Sequence, residues 1–296
     1  MTTITSSKQE LSMAALALGV FTAFLWGTWP VISRFSILQT LTPMDIVAIR
    51  FWVAGLILLP YLLKKGWGGL SLVQLVFLAA GGGMLYVYLA LTGLSFAPSG
   101  HAGMIIPSCT MTFTFIGSWL FLGDRPKSQR ILGILVIISG IIITNYFGSG
   151  AGAGSDAWIG HLFFVFAGFC WGSYTVAAKK AQLSALHLTA IVSVVSMFVY
   201  TPLYLVFGEP MILQAELSDI MIQGVFQGVI IAILALFTYT KTIELMGASR
   251  ASLFVALVPG FAVLIAYPVL GEVPGIYEIM GLILITSGMV IALRSR

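Results

Sequence analysis

Charge is what this 296-residue chain lacks: 8% of its residues are Asp, Glu, Lys or Arg, against about a quarter in a soluble domain. So little charge cannot solvate a surface in water, which excludes a soluble globular fold and points to a bilayer as the surrounding solvent. Cysteine is nearly absent as well. Cys109 and Cys170 stand far apart inside apolar runs, which argues against a disulfide framework or a thiolate metal site and reads as packing. The three histidines fall at the ends of different segments. No His-Glu-x-x-His, no Gly-x-Ser-x-Gly turn and no paired intramembrane aspartates occur. The sequence therefore predicts no enzyme, no metal and no cofactor. The net charge of +4 comes from 14 cations scattered over short connectors with no basic arm, so no nucleic-acid partner is expected.

What the chain has is hydrophobic length, 59% of all residues. A spanning helix needs about 20 mostly apolar residues, and such runs lie at 12–33, 45–63, 71–94, 99–121, 128–147, 159–178, 187–207, 219–241, 249–270 and 274–293. None shows the alternation of a barrel strand. The fold class is all-α integral membrane, with ten transmembrane helices. The polar N-terminus leads into an apolar segment too long for a cleaved signal peptide, so the first span is expected to be retained.

GSGAGAGSD at 148–156 divides the runs evenly and reads as a flexible linker. The domains are then 12–147, a linker at 148–158, and 159–293. The halves echo each other. LWGTWP (25–30) matches CWGSYT (170–175), and LSFAPSG (94–100) matches LMGASRA (245–251). Gly123-Asp124-Arg125-Pro126 matches Gly271-Glu272-Val273-Pro274, and Gly133 with Ser139-Gly140 matches Gly281 with Ser287-Gly288. Four matches in one order indicate an internal repeat. Five helices is an odd number, so the two repeats must be inverted. The cations agree: with the N-terminus inside, twelve of the fourteen fall on inner segments (Lys8, Lys64, Lys65, Arg125, Lys127, Arg130, Lys179, Lys180, Lys241, Arg250, Arg294 and Arg296), leaving Arg34 and Arg50 outside. The positive-inside rule places both termini in the cytoplasm.

These features resemble the drug/metabolite transporter superfamily, in particular the ten-helix EamA-type exporters, over about 12–293. The resemblance rests on WG[ST] in the first and sixth spans, on Thr42-Pro43 followed by Arg50 and Ala54, on the Gly-acid-x-Pro pairs, and on the Gly/Ser-Gly repeats. It implies transport of small metabolites such as amino acids or their derivatives, with spans 1–4 and 6–9 lining a central cavity. Inverted repeats independently favour a carrier with a site at mid-membrane and two states of similar energy. A channel would need a ring of like groups. A flippase for a lipid or lipid-linked substrate is the alternative, and it would need a lateral opening to the bilayer.

Candidate binding residues follow from polarity and aromaticity inside the spans. Trp26, Trp29, Trp171 and Tyr174 form either an aromatic wall for ligand or packing, and Gly27 and Gly172 beside them are expected to permit close helix approach. Arg50 lies roughly 10 Å inward of a helix start capped by Thr42 and Asp45. There it either snorkels to headgroups or serves as counter-charge for a substrate carboxylate or for Glu278. Tyr86, Tyr88 and Gly81-Gly82-Gly83 mark a bending third span, and Ser108, Gln223 and Gln227 are polar where lipid would penalise them. Arg34 and Lys179, at matched helix ends, are candidate gate residues, and Pro107 and Pro259 candidate kinks. The expected partners are a small-molecule substrate and the bilayer.

Overall fold

The computed structural model describes residues 13–123, 127–147, 154–246 and 251–294. Lys8, the Asp124-Arg125-Pro126 part of the first Gly-acid motif, most of the linker (148–153), residues 247–250 with Arg250, and Arg296 lie outside the described residues. Ten apolar helices follow in order: α1 (Met13–Ile37), α2 (Pro43–Lys65), α3 (Leu72–Phe96), α4 (Ser99–Leu122), α5 (Ser128–Phe147), α6 (Ala157–Ala181), α7 (Ala185–Phe207), α8 (Leu217–Met246), α9 (Ser252–Leu270) and α10 (Ile276–Arg294). Each predicted run corresponds to one of them. Only α8 is markedly longer than expected.

Short polar caps set the helix starts. Thr42 and Asp45 form a reciprocal capping box before α2, Ser71 and Gln74 do the same before α3, and Ser184 caps α7. Such pairs satisfy amide groups that a helix end otherwise leaves without partners. Three helices depart from regular geometry. The first part of α3 ends at Gly82 and the second begins at Met84, with Gly83 between them. A β-carbon on Gly83 would lie 2.3 Å from Ser196 Oγ on α7, so glycine is required there by contact as well as by the break. In α8 the stretch Gly224–Leu234 is a π-helix, and α9 opens with a 3-10 stretch, Ser252–Leu257. Apolar periodicity could not reveal either, because both change the winding of a helix without changing its polarity.

The inversion of the repeats is visible in how matched helices meet. α5 packs against its counterpart α10 with Gly133 beside Gly288 and Gly140 beside Gly281, so the two run antiparallel. A β-carbon on Gly133 would lie 2.7 Å from Gly288 O, and one on Gly140 would lie 2.9 Å from Gly281 O. Helices in hydrocarbon gain little from hiding apolar surface, so backbone proximity of this kind supplies the packing. α2 meets its counterpart α7 the same way: Trp52 Nε1 donates to Thr201 Oγ1 at 2.8 Å near one end, and His187 Nε2 meets Gly66 O at 2.8 Å at the other. The remaining neighbours exchange between halves. α1 packs on α8 and α9 of the second repeat, as α6 packs on α3 and α4 of the first. Gly27 of LWGTWP lies against Phe261 and Ala262, and Gly172 of CWGSYT against Phe113 and Thr114. The repeated phrase thus places a glycine where each first helix crosses the fourth helix of the other repeat.

One end of the bundle carries Met13 and Arg294, the first and last described residues; the other carries Arg34 and is called here the Arg34 end. Gly133→Ala and Gly288→Ala are each expected to destabilise by about 1–3 kcal/mol, as overpacking does. Gly260→Ala should not, since nothing lies within 4 Å of a β-carbon there. Thermal unfolding in detergent checks this, and equal melting temperatures for all three would contradict the packing role.

Candidate functional site

Arg50 sits two turns into α2, on the helix that the Thr42–Asp45 capping box starts. It is buried, with 8% of its surface exposed. Its Nη1 donates to Gln227 Oε1 at 3.0 Å, its Nε has no hydrogen-bond partner, and its guanidinium carbon lies 5.9 Å from the centre of the Phe51 ring. Among the described residues no carboxylate oxygen comes within 4 Å of it. The expectation that Glu278 could serve as its counter-charge is therefore corrected: Glu278 lies beside His101, with 3.8 Å between Oε1 and Nε2. Snorkelling to headgroups is excluded by the burial.

Gln227 is the hub of the site. Its oxygen accepts from Trp29 Nε1 at 2.8 Å as well as from Arg50, and its nitrogen donates to Ser33 Oγ at 2.8 Å and to Gln223 Oε1 at 3.0 Å. Gln223 Nε2 then donates to Ser36 Oγ at 2.8 Å and to Ile32 O at 3.1 Å, and Ser36 Oγ donates to Asp219 Oδ1. These residues form one buried polar seam between α1 and α8. Ser33, Ser36 and Asp219 were not singled out from sequence, although Asp219-Gln223-Gln227 recur every four residues along one face of an otherwise apolar helix.

The aromatic residues divide into two groups. Trp29 stacks on Tyr86 (6.1 Å between centroids, 20° between planes), Tyr86 meets Trp171 at 4.6 Å, and Trp171 meets Tyr174 at 5.4 Å. This row joins α1, α3 and α6, and so spans both repeats beside Arg50. Trp26 is apart from it, against Tyr239 of α8 at 4.9 Å. Tyr88 packs half-buried on the main apolar core. Ser108 is fully buried, and its hydroxyl donates to Met104 O of its own helix at 2.6 Å. Its polarity is consumed locally. Gly81 and Gly82 receive the Tyr174 side chain, which shows their smallness used for contact rather than bending alone.

At the Arg34 end an ion pair joins α1 to the connection between α9 and α10. Arg34 Nε lies 2.9 Å from Glu272 Oε1, and its Nη1 donates to the carbonyls of Leu94 (2.8 Å) and Ala97. Glu272 also accepts from Ser99 N at 2.9 Å and Ser99 Oγ at 2.7 Å, at the N-terminus of α4 where free amide groups and the helix dipole favour an anion. Next to this, His101 Nδ1 and His161 Nε2 approach to 2.8 Å, so two histidines read as separate helix-end residues come together. α4 is buried at every residue from Ser99 to Cys109 except Pro107, and beyond that only at Ser118. The matched pair therefore differs: Arg34 is buried beside Glu272, whereas Lys179 is exposed. The prolines differ too. Pro107 lies within continuous α-helix, whereas Pro259 follows the 3-10 stretch at the first turn of regular α-helix. Among the described residues no group of three or more His, Cys, Asp or Glu side chains is arranged to hold a metal ion.

The inner membrane transporter YedA of Escherichia coli K12, itself uncharacterised, is 24% identical over 257 residues, covering 84% of this chain and 80% of its own. The uncharacterised transporter YyaM of Bacillus subtilis is 26% identical, covering 85% of this chain and 84% of its own. A solved crystal structure superposes with a TM-score of 0.63 over 94% of this chain and 96% of the other, at 20% identity, which supports the fold. The model of the EamA-like transporter family matches twice, at residues 13–146 and 158–294, once over each repeat. With nine helices long and apolar enough to cross a membrane and a shorter apolar one among its described residues, and with the family model matched over each half, the chain belongs to the EamA-like transporter family.

Proposed function

We propose that this transporter works by alternating access and exports a small metabolite carrying an anionic group, such as an amino acid or a related compound. The observation that carries the reading is Arg50: a buried cation with no carboxylate within 4 Å among the described residues. A cation in that setting is unfavourable by several kcal/mol unless something compensates it, and an anionic group on the substrate would do so. The row Trp29–Tyr86–Trp171–Tyr174 beside it offers faces for an apolar or planar substrate part. Gln227 holds both Trp29 and Arg50, so one residue sets the geometry of the aromatic and the ionic contact.

Alternating access requires one end closed at a time. The Arg34–Glu272 pair, joined to the N-terminus of α4, supports a state closed at the Arg34 end. We place that end outside. Lys64, Lys65, Lys127, Arg130, Lys179, Lys180, Lys241 and Arg294 all lie at the opposite end, as the positive-inside rule requires of a cytoplasmic face. Both termini would then be cytoplasmic in a bacterial inner membrane.

A flippase for a lipid or lipid-linked substrate is the second reading. It is favoured by an apolar groove of about 340 Å³ between α2 and α8, lined by Ile49, Trp52, Val53, Ile220 and Val225 among others. Counterflow in proteoliposomes separates the two. Loading with unlabelled amino acids and related metabolites should drive entry of one labelled class. No exchange across the panel, together with scrambling of fluorescent lipid by the same protein, would replace the carrier reading with the flippase.

In that assay Arg50→Gln is expected to lower exchange about tenfold to a hundredfold, the loss of a hydrogen bond to a charged group being ~1.5–3 kcal/mol. Lys241→Gln should leave exchange unchanged, since Lys241 pairs with Glu244 on the exposed surface. Orientation is checked with single cysteines in a Cys109→Ala, Cys170→Ala background. A membrane-impermeant maleimide should label Ser155→Cys in intact cells but not Lys180→Cys, and the reverse pattern would invert the topology.

A further inference from the structure

Hydrogen-bond direction along the seam between α1 and α8 carries a consequence for Asp219, a residue at the first turn of α8 that is 7% exposed. From Arg50 every donor points the same way. Arg50 donates to the oxygen of Gln227, the nitrogen of Gln227 donates to the oxygen of Gln223, the nitrogen of Gln223 donates to Ser36 Oγ, and the hydroxyl of Ser36 donates to Asp219 Oδ1. A guanidinium stands at one end of this chain and a carboxylate at the other. Two amide groups and a hydroxyl lie between them with their dipoles aligned head to tail.

Neither charge has an ionic partner within 4 Å among the described residues, and Asp219 Oδ2 has no hydrogen-bond partner. Uniform orientation is what opposite charges at the two ends enforce. Arg50 admits only acceptors, a carboxylate admits only donors, and each intervening amide must turn its oxygen toward the first and its nitrogen toward the second.

We infer that Asp219 is the remote counter-charge of Arg50, acting through Gln227, Gln223 and Ser36. This makes it a positioning residue that tempers the affinity of Arg50 for an anionic substrate. The inference rests on the reading of Arg50 as the anion site. A direct carboxylate partner would have to be displaced before a substrate could bind. A distant one leaves the guanidinium Nε without a protein partner while keeping the empty site from being an uncompensated charge. The bland account of Asp219 is an acid in the first turn of a helix, favoured there by the helix dipole. That account predicts no dependence on Arg50.

The test is a double-mutant cycle on the full-length protein in detergent, read by thermal unfolding. Arg50→Gln and Asp219→Asn should each lower the melting temperature, and the double variant should lose less than the sum of the two by about 2 °C or more. Sites separated by three intervening side chains normally add, so additive losses would overturn the inference and leave the helix-dipole account. If Arg50→Gln does not fold alone, Asp219→Asn is expected to rescue it, and no rescue counts against the inference.

Benzoate binding, followed by tryptophan fluorescence because Trp29 shares Gln227 with Arg50, gives the second readout. Asp219→Asn should bind benzoate about three- to tenfold more tightly than the wild type, with benzyl alcohol unaffected, because Arg50 loses its internal competitor. Arg50-dependent benzoate binding that is unchanged or weaker in Asp219→Asn overturns the inference alone. Benzoate binding that does not depend on Arg50 overturns the substrate role of Arg50, while the thermal cycle still decides whether Asp219 compensates it.

Discussion

In hydrocarbon an unpaired polar group is unfavourable by several kcal/mol, so the Arg50 guanidinium has to be met by something on the protein or on a ligand. Much of the polar architecture follows from that requirement. The protein meets it with amide oxygen instead of carboxylate, through Gln227, and Gln227 must then place its own amide nitrogen. Ser33 and Gln223 both accept from that nitrogen, Ser36 accepts from Gln223, and Asp219 accepts from Ser36. A polar seam formed in this way joins α1, α2 and α8.

The same constraint shapes the Arg34 end differently. There the cation is met directly by Glu272, and the carboxylate is shared with the first amide groups of α4. Two arginines in one repeat thus occupy contrasting environments. Arg34 is paired with a carboxylate at a helix junction; Arg50 meets an amide oxygen within the bundle. A strong, local ion pair suits an element that holds a closed state, and a weakly compensated cation suits one that exchanges its partner with a substrate.

Close helix packing supplies the framework on which these groups are placed. The glycines of α5 and α10, and Gly27 and Gly172 of the repeated aromatic phrase, bring backbones to contact where larger residues would hold them apart. Equivalent glycines recur in both repeats of the framework. The polar groups on it do not: Arg34 is buried and Lys179 exposed, and α8 is wound as a π-helix across the very residues that face Arg50, with no such stretch in α3. Repetition belongs to the scaffold and specificity to the side chains.

Ten spans, two repeats and their inversion were determined by the sequence alone, because lipid leaves a chain few options. Each span must be long, apolar and helical, and an odd number of spans per repeat must reverse the second. Arg50, Gln223, Gln227 and the row of Trp29, Tyr86, Trp171 and Tyr174 were also legible, since polarity and aromaticity inside an apolar run stand out. Which of them meet was decided only by the tertiary structure. It separated Trp26 from the aromatic row, spent Ser108 on its own helix, moved Glu278 from Arg50 to His101, and joined Arg34 to Glu272. Rotation of each helix about its axis and the local winding of α8 and α9 settle such contacts, and neither leaves a mark in the hydrophobic pattern that a single span presents to lipid.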